Sequence, residues 1–209
     1  MSRLRRARGI YPLADDDPAR RHGPREIVEA ALAGRVPALQ LRLKHMGDAD
    51  ALALARWAGE RVRGTGVLLF VNDRYDLADL AGADGVHLGR EDLAPEEIPE
   101  EVRRRLLVGL STHTLEQVRE AVRRPVDCIG FGPVFATSSK RSETAPRGIA
   151  RLREAVEHSS APVVAIGGVG IDEVSAVSEA GAPLAAVISS VADADDPLRA
   201  LRRLQATFG

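Results

Sequence analysis

Three polar side chains alternate with leucines along one aliphatic segment, and two of the three are cationic. In the segment QLRLK, period-two alternation puts Gln40, Arg42 and Lys44 on one face of a strand. Strands of a buried parallel sheet are usually apolar, and a buried Arg or Lys needs an anion to offset its desolvation. We interpret this face as a site for a polyanion such as a diphosphate, since Arg offers a planar fork of donors and Lys a point charge. The alternative is ion pairing within a polar sheet edge.

Carboxylates follow two other aliphatic runs further along the chain. Asn72 and Asp73 follow the run Val67 to Val71, and Asp92 comes shortly after the run Gly85 to Leu88. Either aspartate alone could cap a helix. Two of them after neighbouring strands match Mg²⁺, which takes one or two carboxylates together with waters and substrate phosphates. The sequence therefore predicts a magnesium site formed by Asp73 and Asp92.

Hydroxyl groups follow the later runs and extend the candidate site. Ser111 follows one run, where it could donate to a phosphate or cap a helix with equal plausibility. A loop without apolar periodicity then extends from Gly132 to about Pro146 and carries Thr137, Ser139 and Lys140. Long loops in compact domains are usually functional, and hydroxyls followed by a cation are typical of a phosphate-binding loop. The alternative is a mobile, solvated loop.

Small residues end the last two runs. Gly167 and Gly168 follow one, and Ser189 and Ser190 follow the other. Glycines let a backbone approach a phosphate closely, and backbone N–H groups at a helix start bind anions. These residues predict a second, uncharged anion site, distinct from the cationic one that Arg42 and its neighbours predict.

Eight short aliphatic runs alternate with longer segments of helical spacing. The runs are Gly9 to Leu13, Ala38 to Leu43, Val67 to Val71, Gly85 to Leu88, Leu106 to Leu110, Cys128 to Phe131, Val163 to Ile166 and Ala185 to Ile188. Eight such units in 209 residues predict an α/β fold, a (β/α)₈ TIM barrel with its site at the carboxyl ends of parallel strands. The alternative is a doubly wound open sheet, but its Gly-rich turn is missing from the segment Tyr11 to Asp15. We expect one domain over residues 1–209, with residues 1–8 as a flexible basic leader.

Composition limits the function classes. The formal charge is −1, from 29 Lys and Arg against 30 Asp and Glu, which argues against bulk binding to nucleic acid. No apolar run has the length of a membrane span, and the basic N-terminus lacks the apolar core of a secretory signal. Cys128 is the single cysteine, which fits a reducing compartment. We therefore expect a cytoplasmic protein without nucleic-acid or membrane partners; the sequence leaves self-association open.

Six strings in this order resemble the thiamine phosphate synthase family. They are QLRLK, VNDRYDLADLAGADGVHLGRED, GLSTHT, FGPVFATSSK, PVVAIGG and AAVISS. The resemblance implies a transferase that condenses 4-amino-2-methyl-5-(diphosphooxymethyl)pyrimidine with a thiazole phosphate, giving thiamine phosphate and pyrophosphate with Mg²⁺ as cofactor. It implies that the pyrimidine diphosphate is held by Gln40, Arg42, Lys44, Asn72, Ser111 and Lys140, of which Arg42, Lys44 and Lys140 act in catalysis. It implies a thiazole phosphate site formed by Thr137, Ser139, Gly168, Ile188 and Ser189, and Mg²⁺ ligands at Asp73 and Asp92.

The chain departs from the family pattern at three positions. Leu43 stands where Glu is frequent, Ser139 where Thr is frequent, and Ala14 where Thr usually precedes the aspartate of the first strand. Two alternative functions are considered. Thiazole tautomerases share the later motifs but need no metal or diphosphate site, and a non-catalytic phosphate-binding barrel would not need the charged residues that this chain carries.

Overall fold

Eight parallel strands close into a barrel in the computed structural model, which describes residues 3–137 and 145–209. The strands are β1 (Gly9–Asp15), β2 (Ala38–Arg42), β3 (Leu68–Asn72), β4 (Gly85–Leu88), β5 (Leu107–Thr112), β6 (Cys128–Phe131), β7 (Val163–Ile166) and β8 (Leu184–Val187). Each strand pairs with the next, and β8 pairs with β1. The predicted TIM barrel is confirmed, and the open-sheet alternative is excluded because the sheet has no edge strand.

Helices connect the strands on the outside of the barrel. They are α1 (Pro24–Gly34), α2 (Asp48–Val62), α3 (Tyr75–Ala81), α4 (Glu100–Arg103), α5 (Leu115–Ala121), α6 (Gly148–Glu157), α7 (Val174–Glu179), α8 (Ser189–Ala192) and α9 (Pro197–Phe208), with 3-10 turns at Arg3–Arg6 and Pro95–Glu97. In the described part of the chain, no helix is both long and apolar enough to cross a membrane.

Alternation along the strands produces two apolar layers. The layer between barrel and helices contains residues such as Leu41, Val71 and Val86. The layer inside the barrel is separate and contains Tyr11 and Phe70, whose rings meet edge to face at 5.9 Å. Because successive side chains point to opposite faces, each strand supplies both layers.

The first residues of the chain close the bottom of the barrel. Arg3–Arg6 forms a 3-10 turn, Leu4 is buried in the interior layer, and Arg3 Nη2 donates to the carbonyl of Gly66 at 2.8 Å. The sequence predicts a flexible basic leader over residues 1–8, and residues 3–8 differ from that expectation. The physical reason is that Leu4 and Ala7 are apolar and cover the interior layer, while the arginines around them stay at the surface.

Candidate active site

A cavity opens at the carboxyl ends of the strands, with a volume of about 930 Å³ including the solvent at its mouth. Seven of the predicted binding residues line it: Gln40, Asn72, Ser111, Thr137, Gly168, Ile188 and Ser189. They come from six strand ends that are distant in sequence, so the barrel brings them together. Ser139 and Lys140 lie outside the described residues.

Gln40 is fixed from inside the barrel. Its side chain is buried, and its Nε2 donates to the hydroxyl oxygen of Tyr11 at 3.1 Å. Burial raises the pKa of Tyr11 well above its usual value, with Cys128 adding to the shift and the Gln40 hydrogen bond opposing it. The phenol is therefore neutral at physiological pH, and it gives the Gln40 amide one defined orientation toward the cavity.

Ser111 lies at the cavity wall beside His87. The two meet at 3.0 Å between Nε2 and Oγ. The ring occupies space that two glycines leave free: a Cβ on Gly109 would lie 2.3 Å from His87 Nδ1, and one on Gly130 would lie 3.0 Å from Nε2. Thr114 rather than Ser111 caps α5, accepting from the Gln117 N–H at 3.3 Å. The capping alternative for Ser111 is excluded, and its hydroxyl faces the site.

Arg42 is held by the neighbouring strand. It is paired in register with Asp15, and Asp15 Oδ1 accepts from Arg42 Nη1 at 2.8 Å. The side chain of Asp15 is fully buried, whereas that of Arg42 is 15% exposed. The ion pair with Asp15 therefore engages one nitrogen of the guanidinium, and Arg42 is not among the residues that line the cavity.

Lys44 and Asp73 form an ion pair between the ends of β2 and β3. Asp73 has a left-handed backbone with φ of 62°, and its N–H donates to the carbonyl of His87 at 2.8 Å. A non-glycine residue in that conformation is uncommon and is enriched at functional sites. The helix-cap alternative for Asp73 is excluded, because Arg74 occupies the cap position of α3.

Asp73 and Asp92 lie side by side at this rim. Burial raises the pKa of Asp73, the hydrogen bond and charge of Asp92 raise it further, and Lys44 opposes the shift. Asp92 Oδ2 also accepts from the Gly89 N–H at 2.6 Å, which fixes the carboxylate. Adjacent carboxylates repel each other unless a cation or proton lies between them. This donor set fits a hard divalent cation such as Mg²⁺.

The protein contributes few ligands to such a cation. Among the described residues, no group of three or more His, Cys, Asp or Glu side chains is arranged to hold a metal. Asp73 and Asp92 would supply two carboxylates to Mg²⁺, and its remaining ligands would be water and the phosphate oxygens of a substrate.

The ends of β7 and β8 form the uncharged side of the cavity. Gly168 has φ of 66°, and a Cβ there would lie 2.2 Å from the carbonyl oxygen of Ala136. Ser189 begins α8, where the first N–H groups of a helix have no partner within it. Ser190 instead donates to the carbonyl of Val169 at 3.1 Å. Gly168 and Ser189 both line the cavity, so the glycine turn and the start of α8 lie against it.

Two functional contacts are not evident in the sequence. The sequence singles out Ala14, which differs from the family pattern, but not the Asp15 that follows it. The pairing of Asp15 with Arg42 depends on the register of β1 and β2. Tyr11 reads as an apolar strand residue, and its contact with Gln40 depends on both side chains pointing inward. The available signal was the same alternation that placed Gln40 on the inner face, applied to β1.

Fold and site together define a (β/α)₈ barrel whose mouth has a charged side at the ends of β2 to β4 and an uncharged side at the ends of β7 and β8. A sequence model of the family described as thiamine monophosphate synthase matches residues 10–191. The chain belongs to the thiamine monophosphate synthase family, and the resemblance noted in its motifs is confirmed.

Individual relatives and a solved structure are consistent with this family. The chain is 47% identical over 179 residues to the thiamine-phosphate synthase of Anaeromyxobacter dehalogenans, covering 86% of the chain and 80% of that protein. It is 39% identical over 201 residues to that of Chloroflexus aurantiacus, covering 94% and 91%. The thiamine phosphate pyrophosphorylase structure from Pyrococcus furiosus superposes with a TM-score of 0.86 at 32% identity, covering 99% and 96%. A 3-hexulose-6-phosphate synthase structure, at 18% identity and a TM-score of 0.67, shares the fold alone.

Proposed function

We propose that the protein is a transferase that joins the pyrimidine diphosphate to a thiazole phosphate, forming thiamine phosphate and releasing pyrophosphate. The observation that carries this proposal is the two-sided barrel mouth. Lys44, Asp73 and Asp92 cluster at the ends of β2 to β4, and Gly168 and Ser189 line the cavity at the ends of β7 and β8. A reaction that joins two phosphorylated molecules needs two anion sites at one cavity, and membership of the family is consistent with this chemistry.

The bond that breaks joins the pyrimidine methylene carbon to the diphosphate oxygen, and its electron pair leaves with pyrophosphate. The electron-rich aminopyrimidine stabilises the cation that forms. The thiazole nitrogen then supplies the electron pair of the new C–N bond. In this proposal Arg42, Lys44 and Lys140 neutralise the departing charge, which is electrostatic stabilisation of the transition state. No side-chain nucleophile is required.

Asp73 and Asp92 are the proposed ligands of Mg²⁺. When bound, Mg²⁺ would neutralise negative charge on the diphosphate. Asp73 would serve both the cation and Lys44, because its carboxylate lies between Asp92 and the Lys44 ammonium. The αL backbone of Asp73 and the Gly89 N–H on Asp92 keep both carboxylates at the rim.

The uncharged groups position the two reactants. Gln40, Asn72 and Ser111 line the cavity at the ends of β2, β3 and β5, and we assign them to the pyrimidine diphosphate. We assign the thiazole phosphate to a second set, formed by Thr137, Ser139, Gly168, Ile188 and Ser189. Holding the thiazole nitrogen in line with the methylene carbon converts a bimolecular reaction into an intramolecular one, which accounts for much of the rate enhancement.

A cytoplasmic location is part of the same proposal. Substrates that carry a monophosphate or a diphosphate are too highly charged to cross a bilayer unaided, so an enzyme that uses them should share their compartment. We propose no nucleic-acid or membrane partner.

The test uses purified protein with both phosphorylated substrates and Mg²⁺. We expect thiamine phosphate, detected by mass spectrometry, only when both substrates are present, and a loss of product when EDTA removes the metal. Folded protein that forms no product would overturn the proposal. Metal-independent proton exchange on a thiazole carboxylate phosphate would favour the tautomerase alternative, and phosphate-ligand binding without turnover would favour the non-catalytic barrel.

A further inference from the structure

Asp16 anchors the backbone that carries Lys44. Its Oδ1 accepts from the Lys44 N–H at 2.7 Å, and its Oδ2 accepts from the N–H groups of His45 and Met46 at 2.8 Å each. Its own N–H donates to the carbonyl of Arg42 at 3.1 Å. Asp16, directly after β1, is therefore hydrogen-bonded to the backbone of four residues at and just after the end of β2: Arg42, Lys44, His45 and Met46.

These three N–H groups belong to neither a strand nor a helix. β2 ends at Arg42, and α2 begins at Asp48 after its cap residue Gly47. Without the Asp16 carboxylate, only water would satisfy them, and the segment would be free to rotate about its backbone dihedrals. A carboxylate that accepts several N–H bonds is a strong, charge-assisted anchor, so Asp16 restricts the origin from which the Lys44 side chain extends.

The position of that origin determines where the ammonium of Lys44 lies. Lys44 has a flexible side chain that is 43% exposed, and its ammonium pairs with Asp73. A flexible cation contributes to catalysis only when it is held near the charge that develops, because displacements of about 1 Å can reduce rates roughly 100-fold. Asp15 fixes the side chain of Arg42, and Asp16 fixes the main chain of the second cation.

We propose that Asp16 is a positioning residue for the diphosphate site, acting through the backbone of Lys44. This inference rests on the proposed function, because it assigns Asp16 to the leaving-group side of that reaction. It makes a directional prediction: loss of the Asp16 carboxylate impairs the use of the pyrimidine diphosphate and the binding of pyrophosphate, and leaves the use of the thiazole phosphate unchanged.

The test compares Asp16→Ala and Asp16→Asn with Asp17→Asn. Asp17 is the adjacent aspartate, and its carboxylate accepts from the Ala19 N–H at 2.9 Å and lies 3.9 Å from Arg20, both within its own loop. Asp16→Asn keeps one acceptor oxygen and turns an NH2 group toward the remaining N–H donors, so it removes part of the anchor and is the milder variant where Asp16→Ala fails to fold. KM for each substrate, and the affinity for inorganic pyrophosphate with Mg²⁺ by calorimetry, are measured on each variant.

For the Asp16 variants we expect KM for the pyrimidine diphosphate and Kd for pyrophosphate to rise roughly tenfold or more, with KM for the thiazole phosphate unchanged and Asp17→Asn like the parent. Equal behaviour of Asp16→Asn and Asp17→Asn would overturn the inference. An equal rise in KM for both substrates, with a lowered Tm, would also overturn it, since that pattern indicates a general structural role. If the parent protein makes thiamine phosphate in these cases, the proposed function stands; a parent that makes none overturns the function itself.

Discussion

The carboxylate of Asp73 lies between the ammonium of Lys44 and the carboxylate of Asp92, at the ends of three successive strands. Burial raises the pKa of Asp73, and the neighbouring Asp92 carboxylate raises it further. The Lys44 ammonium on the other side lowers it. A divalent cation placed between Asp73 and Asp92 would relieve their repulsion.

Replacing Asp73 by Asn should remove catalysis and leave the fold intact. Asn has nearly the same shape and tolerates the left-handed backbone at φ of 62°, so only the charge is lost. We expect kcat/KM to fall by roughly 100-fold or more, with Tm changed by no more than a few degrees. Rates of thiamine phosphate formation across a Mg²⁺ series measure the effect. Asp48→Asn, which alters an exposed partner of Arg74, is the matched control, and equal activity of the two variants would contradict the assignment.

Replacing Gly168 by Ala should impair the thiazole phosphate site. Gly168 has a positive φ, and its added Cβ would meet the Ala136 carbonyl at 2.2 Å. Gly64 also has a positive φ, of 78°, but a Cβ there meets nothing within 4 Å, so Gly64→Ala isolates the conformational cost. Gly64→Ala should lose about 1–3 kcal/mol of unfolding free energy from its positive φ, and Gly168→Ala should lose more, because its Cβ also clashes with backbone. Only Gly168→Ala should raise KM for the thiazole phosphate, and an unchanged KM would count against the assignment.

The hydroxyl of Tyr11 should matter through Gln40. Tyr11→Phe leaves the buried Gln40 Nε2 without its acceptor, which we expect to cost about 1–3 kcal/mol of unfolding free energy. A double-mutant cycle with Gln40→Leu measures the coupling by denaturant unfolding. The double variant should be less destabilised than the sum of the single variants, because both partners are then apolar. Additive effects would show that the two side chains do not depend on each other.

Alkaline pH should destabilise the protein through Cys128. Burial raises the pKa of this thiol to about 12, against about 8.5 in an unfolded chain. Between these values the folded state holds a proton that the unfolded state releases, so unfolding free energy falls as pH rises, by at most about 1.4 kcal/mol per pH unit. Cys128→Ala should reduce this slope between pH 9 and 10. An identical slope in Cys128→Ala would contradict the attribution of this pH dependence to the Cys128 thiol.

Much of the fold was accessible from the sequence because strand and helix patterns differ in period. Each of the eight aliphatic runs begins and ends within two residues of the corresponding strand. The boundaries agree because apolar β-branched runs in parallel sheets are bounded by glycines and polar residues. The sequence did not predict that Leu4 is buried beneath the barrel, because the arginines around it dominate the local pattern. The burial of Leu4 depends on the complete barrel.

Candidate site residues could be predicted where the residue type itself indicates the chemistry. They were harder to predict where a contact depends on the register between two strands. Residue type alone predicts a metal-binding rim from the paired aspartates and the alternating Gln40, Arg42 and Lys44, and that rim stays a prediction. Asp16 gives no such signal, because its three backbone contacts lie about 30 positions away and exist only once β1 and β2 are aligned. Ser111 was ambiguous for a similar reason, since spacing alone did not distinguish a cap from a cavity residue.

The most direct measurement of the central claim is a single-turnover reaction of the protein with both phosphorylated substrates. It follows thiamine phosphate and pyrophosphate together in the presence of Mg²⁺. We predict that the two products appear at the same rate in a 1:1 ratio, and that both form roughly 100-fold more slowly, or slower still, in Asp73→Asn. Absence of both products from folded parent protein, or pyrophosphate release without thiamine phosphate, would contradict a barrel that unites a leaving-group site with a nucleophile site.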